Sequence, residues 1–368
     1  MDENPIHELY ELGQSVWLDQ ISRALLDSGE LPGLVENAEV TGVTSNPTIF
    51  DGAVSGSTDY DEFLAEFLAD RPGAEPQEPY EALAVRDIRD AADLLRPVYE
   101  RTDGRDGYVS LEVDPGLAYQ TDETIAEARR LWACVDRPNL LIKVPATDEG
   151  LPAITALLAE GLNVNVTLMF SRRHYLDVAD AYLSGIEKLV EAAGAPSRLA
   201  SVASFFVSRI DVKVDEMLPE GHPLRGRIGV ANTKLAYRLF QETFNSERFA
   251  ALDERGARRQ RFLCASTSTK NPDYSDVLYV EELIGPHTIN TMPLKTLEAF
   301  RDHGHPHESI TADLDRAESD LEALEDAGID LNTVCEDLQV EGVEKFANSF
   351  DALLETLEDK RAALTTAG

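Results

Sequence analysis

The chain has 368 residues, with 33 basic against 68 acidic side chains and a formal net charge of −35 at pH 7. Such an excess of negative charge argues against nucleic acid or anionic lipid as a partner, since both demand a positive surface. It does not argue against a phosphorylated small molecule, for which a few cations in a pocket suffice. The length allows a large core, built as one big α/β domain or two smaller ones. Cys134, Cys264 and Cys335 are widely spaced and form no CxxC, which predicts reduced thiols. The opening MDENPIHELYELGQS lacks the basic-then-apolar order of a signal peptide, and no apolar run approaches the ~20 residues of a membrane span, so a cytoplasmic protein is expected.

In chain order, β-rich runs fall at 16–19 and 42–46, then two helical segments at 60–69 and 80–99 split by a Pro-rich loop at 71–79. A strand at 109–114 follows, then a helix at 121–135, a strand at 140–146, a helix at 151–160 and a strand at 163–170. The order continues with a helix at 175–193, a strand at 201–207, a helix at 225–245, and strands at 262–267 and 287–292. Alternation of this kind implies parallel pairing through right-handed crossovers, and eight units predict a closed (β/α)8 TIM barrel. An open doubly wound sheet is the other arrangement, but no GxGxxG turn follows the first strand. The two helices between strands two and three read as additions rather than a domain. Charged helical stretches at 310–327 and 343–364 form a C-terminal extension from about residue 308, the last of them packing back across the barrel or pointing into solvent. The whole of 1–368 is expected to be one barrel domain.

Lys143 is the anomaly in this pattern. It sits in Leu-Leu-Ile-Lys-Val-Pro-Ala-Thr, residues 140–147, a run that otherwise reads as a fully buried strand. A buried lysine either finds a partner or loses its charge, and a neutral amine is a nucleophile toward carbonyl carbon. Other polar residues also fall on one face of their strands near the C-terminal ends: Asp19, Asn46, Glu112, Thr167, Ser204 and Ser266. In the fifth strand Asn163, Asn165, Thr167 and Met169 alternate with Val164, Val166, Leu168 and Phe170. Barrel active sites lie at that end, and one pocket accounts for the set where several buried networks would otherwise be needed.

Each residue also has a structural role open to it. Glu112 could merely neutralise Lys143, Asp19 could cap the next helix, and Asn46 before Pro47 could initiate a turn. Thr167 is an ordinary strand residue, and Ser266 reads as structural. Arg209 after strand six and Lys270 after strand seven are the cations placed to meet a phosphate. His303, His305 and His307 alternate in a Gly/Pro loop with a spacing that fits no closed metal site. Asp211, Asp215 and Glu216 with Lys213 read as a solvated helix face.

The polar residues lie in Trp-Leu-Asp19, Gly-Val-Thr-Ser-Asn46-Pro-Thr-Ile-Phe, Ser-Leu-Glu112-Val-Asp-Pro, Leu-Ile-Lys143-Val-Pro-Ala-Thr, Asn-Val-Thr167-Leu-Met-Phe-Ser and Ser204-Phe-Phe-Val-Ser-Arg209-Ile-Asp. In that order, over most of the chain, these stretches resemble the transaldolase family. The length and the form Cys-Ala-Ser-Thr-Ser-Thr-Lys-Asn-Pro resemble its longer bacterial branch. The resemblance implies a class I aldolase mechanism with no metal or organic cofactor. Lys143 would form a Schiff base with sedoheptulose 7-phosphate. Glu112 would shuttle protons through a water held with Thr167, and Asp19 would take the C4 hydroxyl proton. Asn46 and Ser204 would hold substrate hydroxyls and Arg209 the phosphate. Erythrose 4-phosphate would leave, and the retained three-carbon unit would join glyceraldehyde 3-phosphate to give fructose 6-phosphate. The family usually places arginine as a second phosphate cation; here the nearest residue is Lys270. An aldolase acting on fructose 6-phosphate and a non-catalytic sugar-phosphate-binding barrel are the other readings. The expected partners are phosphorylated sugars, with no nucleic acid and no membrane, for a monomer or homodimer.

Overall fold

A computed structural model describes residues 4–367. Among them, parallel strands close into a barrel in sequential order: β1 Gln14–Leu18, β2 Gly42–Val43, β3 Tyr108–Glu112, β4 Leu140–Pro145, β5 Val164–Met169, β6 Ser201–Phe206, β7 Arg261–Ala265 and β8 Thr288–Met292, with β8 pairing back onto β1. This is the expected (β/α)8 architecture, and each strand overlaps its expected run. Parallel strands covered on both faces are mostly apolar, and all of these are buried along their length except at Arg261, with polar side chains such as Glu112, Lys143, Asn165 and Ser204 buried among them. Val16, Leu18, Leu111, Ile142 and Val144 belong to the cluster under the surrounding helices, whereas Trp17, Leu141, Val202, Leu263 and Ile289 belong to the inner one. Gly42 is required on β2, because a Cβ there would lie 2.5 Å from the Trp17 ring.

The expected alternation fails in β5. Leu168 has φ 56°, and the pairing with β6 shifts register between Val166 and Met169. The bulge turns the chain by one position. Met169 therefore joins Val164 and Val166 in the outer cluster, while Leu168 and Phe170 turn inward. A left-handed leucine is costly, and this one immediately follows Thr167.

The additions between β2 and β3 are helices Asp61–Asp70 and Gln77–Arg101, as expected. Beyond β8 come helices Leu314–Asp326 and Leu331–Ala367. The last begins well before the expected residue 343. Asp330 sets its start, with side-chain oxygens accepting from the Asn332 amide at 2.9 Å and the Thr333 hydroxyl at 3.0 Å. This C-terminal helix packs back across the barrel mouth. Gln339 Nε2 donates to the carbonyls of Ala146 and Leu168 at 2.9 and 3.0 Å, tying the helix to the exits of β4 and β5. Among the described residues, no helix is long and apolar enough to cross a membrane.

Candidate active site

The register places Lys143 on β4 beside Glu112 on β3 and Asn165 on β5. Its side chain is buried, and Nζ donates to the Ser45 carbonyl at 3.1 Å. That carbonyl is available because β2 stops pairing at Val43 and the chain turns into helix Pro47–Ser55. Lys143 Nζ also lies 3.4 Å from Glu112 Oε2 and 5.8 Å from the centre of the Phe346 ring, which the C-terminal helix contributes.

Glu112 and Lys143 attract without a hydrogen bond. Neither carboxyl oxygen of Glu112 has a hydrogen-bond partner among the described residues, and the buried Thr167 hydroxyl has none either. A purely structural buried ion pair is normally completed by hydrogen bonds to its remaining lone pairs. Burial pushes the Glu112 carboxyl up to about 7, with Lys143 opposing the shift. A carboxyl in that range gains and loses a proton readily near neutrality.

The helix after β1 is capped by Ser22, whose side chain accepts from the Leu25 amide at 3.1 Å. Asp19 therefore does not cap it. Asp19 Oδ1 instead accepts from the Thr44 hydroxyl at 2.6 Å, and Thr44 Oγ1 meets Thr291 Oγ1 at 2.7 Å. Asn46 does cap a helix: its side chain accepts from the Ile49 amide at 3.0 Å at the head of Pro47–Ser55. This contact uses Oδ1 and leaves the two Nδ2 hydrogens to donate, so capping and ligand binding are compatible. Ser204 donates to Asn165 Oδ1 at 2.7 Å, and Asn165 Nδ2 donates to Ser110 Oγ at 2.9 Å, forming a polar layer beneath Lys143.

A cavity of about 680 Å³ opens at the C-terminal ends of the strands. Asp19, Asn46, Lys143, Thr167, Ser204, Arg209 and Lys270 all line it. Glu112 lies behind Lys143, outside that lining. Arg209 stands between the rings of Phe206 and Phe346, 5.0 and 5.8 Å from their centres, and burial lowers its pKa. Lys270 is exposed, with Nζ 2.7 Å from Ser268 Oγ. Ser266 does structural work: its carbonyl accepts the Ser208 amide and its hydroxyl meets Ser208 Oγ at 2.9 Å, joining the β7 exit to helix Ser208–Met217.

The solvated-face reading of Asp211 and Asp215 is wrong. Both are buried, because their four-residue spacing turns them toward the next helix. Asp211 accepts from the Gly229 amide at 2.7 Å and the Tyr279 hydroxyl at 2.9 Å, and Asp215 from the Gly226 amide at 3.0 Å and the Tyr274 hydroxyl at 2.6 Å. Lys213 and Glu216 line the cavity instead. His303 pairs with Asp276 at 2.9 Å and Asp302 at 3.2 Å at the end of helix Leu294–His303. Two groups of lining residues went unnoticed in the sequence. Thr44 and Thr291 are ordinary strand-end threonines, with only their alternation to mark them. Leu338, Glu341, Lys345 and Phe346 come from the C-terminal helix, and no local pattern assigns that helix to the barrel mouth.

Residues 16–357 match the family described as Transaldolase/Fructose-6-phosphate aldolase. A protein named Transaldolase from Thermobifida fusca (strain YX) is 50% identical, over 98% of this chain and 100% of its own length. One of the same name from Mycobacterium marinum (strain ATCC BAA-535 / M) is 51% identical, over 98% of this chain and 99% of its own. Transaldolase 2 of Nostoc punctiforme (strain ATCC 29133 / PCC 73102) is 44% identical, over 99% of this chain and 100% of its own.

Proposed function

The chain belongs to the transaldolase/fructose-6-phosphate aldolase family, and from that membership we propose that it moves a dihydroxyacetone unit from sedoheptulose 7-phosphate to glyceraldehyde 3-phosphate through a Schiff base on Lys143. The products are erythrose 4-phosphate and fructose 6-phosphate, a step of the non-oxidative pentose phosphate pathway. The observation that carries this reading is the Lys143 amine, buried 3.4 Å from a carboxyl that accepts no hydrogen bond, in a cavity that Asp19 also lines.

Lys143 Nζ, as the free amine, adds to the C2 carbonyl of the ketose. The proton lost from nitrogen passes to the Glu112 carboxylate through a water held with Thr167 and returns to the C2 oxygen, giving the carbinolamine. A second proton, taken up from solvent along the same route, lets that oxygen leave as water. The resulting iminium is an electron sink. Asp19 takes the C4 hydroxyl proton, a C4–O double bond forms as C3–C4 breaks, and the bonding pair flows to nitrogen as the enamine. Erythrose 4-phosphate departs. The enamine carbon then attacks the aldehyde carbon of glyceraldehyde 3-phosphate, and Asp19 returns its proton to the new alkoxide. Hydrolysis of the iminium frees Lys143 and fructose 6-phosphate.

The two carboxylates suit different tasks because their surroundings differ: Glu112 is buried, and Asp19 is half-buried and held by Thr44. Asn46 Nδ2 and Ser204 hold substrate hydroxyls, and Arg209 and Lys270 the phosphate. The barrel and its C-terminal extension act as one domain, since Phe346 stands over Lys143. The test is borohydride reduction in the presence of fructose 6-phosphate, with a mass shift expected on the Lys143 peptide. No shift removes the Schiff-base reading. A transferase also requires an acceptor, so turnover of fructose 6-phosphate that proceeds equally without erythrose 4-phosphate would make the chain an aldolase.

A further inference from the structure

Three cations that line the cavity, Arg209, Lys270 and Lys345, make no ion pair with a carboxylate among the described residues. Arg209 is half-buried between two rings, yet among the described residues it has neither a carboxylate within ion-pair distance nor a hydrogen-bond acceptor. Lys270 contacts only the Ser268 hydroxyl. Lys345, on the C-terminal helix, lines the same cavity and has no hydrogen bond or ion pair among the described residues. Burial and the charges of Arg209 and Lys270 together lower the Lys345 pKa, which places its amine in their mutual field.

The chain has twice as many acids as bases, and neighbouring cations do find partners. In the same wall Lys213 is paired with Glu341, and that pairing occupies the carboxylate one helical turn before Lys345. Three like charges lining one cavity, none in ion-pair contact with a carboxylate, repel one another in the unliganded site, and an anion with more than one negative charge relieves that repulsion. Gly342 allows the C-terminal helix to come this close, because a Cβ there would lie 2.8 Å from Leu168 Cδ2 and 3.5 Å from Arg209 Nη1.

We propose that Lys345 is a third phosphate-binding cation, so that the pocket for the substrate phosphate is completed by the C-terminal helix as well as by the ends of β6 and β7. This rests on the sugar-phosphate reading above. Phosphate binding and docking of the helix over Lys143 are then parts of one equilibrium. The same contact that recognises the substrate holds Phe346 across the Schiff base.

The test uses the full-length enzyme. Titration calorimetry with inorganic phosphate should show roughly tenfold weaker binding to Lys345→Met than to wild type, as expected for one lost charge-assisted contact, while Lys345→Arg stays within about threefold. In steady state, Lys345→Met should lose about tenfold in kcat/KM with glyceraldehyde 3-phosphate as acceptor, carried by KM, and less than about twofold with unphosphorylated glyceraldehyde. Equal losses with both acceptors, or unchanged phosphate affinity, would overturn the proposal. Borohydride trapping on the wild type reads the other claim separately. Absence of an adduct together with phosphate binding that depends on Lys345 would sink the Schiff-base reading and leave the anion site standing.

Discussion

At the scale of single residues, Lys143 and Glu112 share one environment and can be told apart by what each loses. In Lys143→Met a flexible apolar chain of similar length lies under the Phe346 ring, and the buried Glu112 carboxyl takes up a proton instead of standing as a lone charge. Activity should fall by on the order of 10⁴-fold or more while the circular dichroism spectrum and Tm stay near wild type. Gross unfolding would instead make the pair a structural ion pair. Glu112→Gln keeps the shape and removes the titration. The Glu112 carboxyl sits at about 7 and acts first as a base, so wild-type kcat/KM should climb as pH rises through that value. The glutamine variant should lose about 10²-fold or more in rate, and its profile should lack that limb. A limb that persists in the variant belongs to another group. Thr44 marks what single positions could not reveal: its hydroxyl orients Asp19, but nothing in the residue type distinguishes it from any other strand threonine.

At the scale of elements, helix Ser208–Met217 carries Arg209 toward the cavity and is fastened from below by Asp211. Burial pushes the Asp211 carboxyl up to about 7, so the folded state prefers its protonated form. Its contribution to stability is complete below the usual carboxylate range and is lost as pH rises through about 7. Asn at this position still accepts from the Gly229 amide, and Tyr279 can accept from its Nδ2. Thermal melts should therefore show a smaller fall in Tm between about pH 5 and pH 8 in Asp211→Asn than in the wild type. An identical fall would place the pH dependence elsewhere. The C-terminal helix has a comparable fastening in Gln339. Leucine there would leave the Ala146 and Leu168 carbonyls buried without their donor, at a cost of about 1–3 kcal/mol. Amide exchange across 331–364 should accelerate in Gln339→Leu, and acceptor-independent release of dihydroxyacetone should rise severalfold as water reaches the enamine. Unchanged release would mean that the helix does not shield the intermediate. The barrel strands were legible because a doubly covered parallel strand is apolar on both faces, so a lysine among such residues is conspicuous. The β5 bulge was not legible: the inversion after Thr167 depends on the backbone angle of Leu168, and leucine gives no sign of it. Asp211 and Asp215 were misread because acids four apart look the same on a solvated face and on one hydrogen-bonded to the next helix. The reach of Phe346 and Lys345 into the site is a tertiary contact, and the helix that delivers them shows only ordinary amphipathic spacing.

At the scale of the whole molecule, a formal charge of −35 surrounds a cavity whose lining carries more cations than carboxylates. Of the 33 basic residues 25 are arginine, and several of these cross-link neighbouring helices. Arg248 meets Asp180 and Glu187, Arg129 meets Glu160, and Arg137 meets Asp93. These pairs are exposed, so each contributes little on its own. They also cannot neutralise a surface on which acids outnumber bases by two to one. The unpaired remainder repels itself over distances longer than any single contact, and salt screens that repulsion more effectively than it weakens short-range pairs. The Debye length falls from about 30 Å at 0.01 M to about 3 Å at 1 M. Tm should therefore rise steadily as potassium chloride is raised across that range, in contrast to a fold held chiefly by surface ion pairs. Sulfate would confuse the measurement, because it strengthens apolar burial by its exclusion from the surface and could occupy the Arg209–Lys270–Lys345 site. Chloride separates the two effects. A Tm that falls as potassium chloride rises would show that the arginine cross-links outweigh the net repulsion, and that the acidic excess is not the main electrostatic load on this fold.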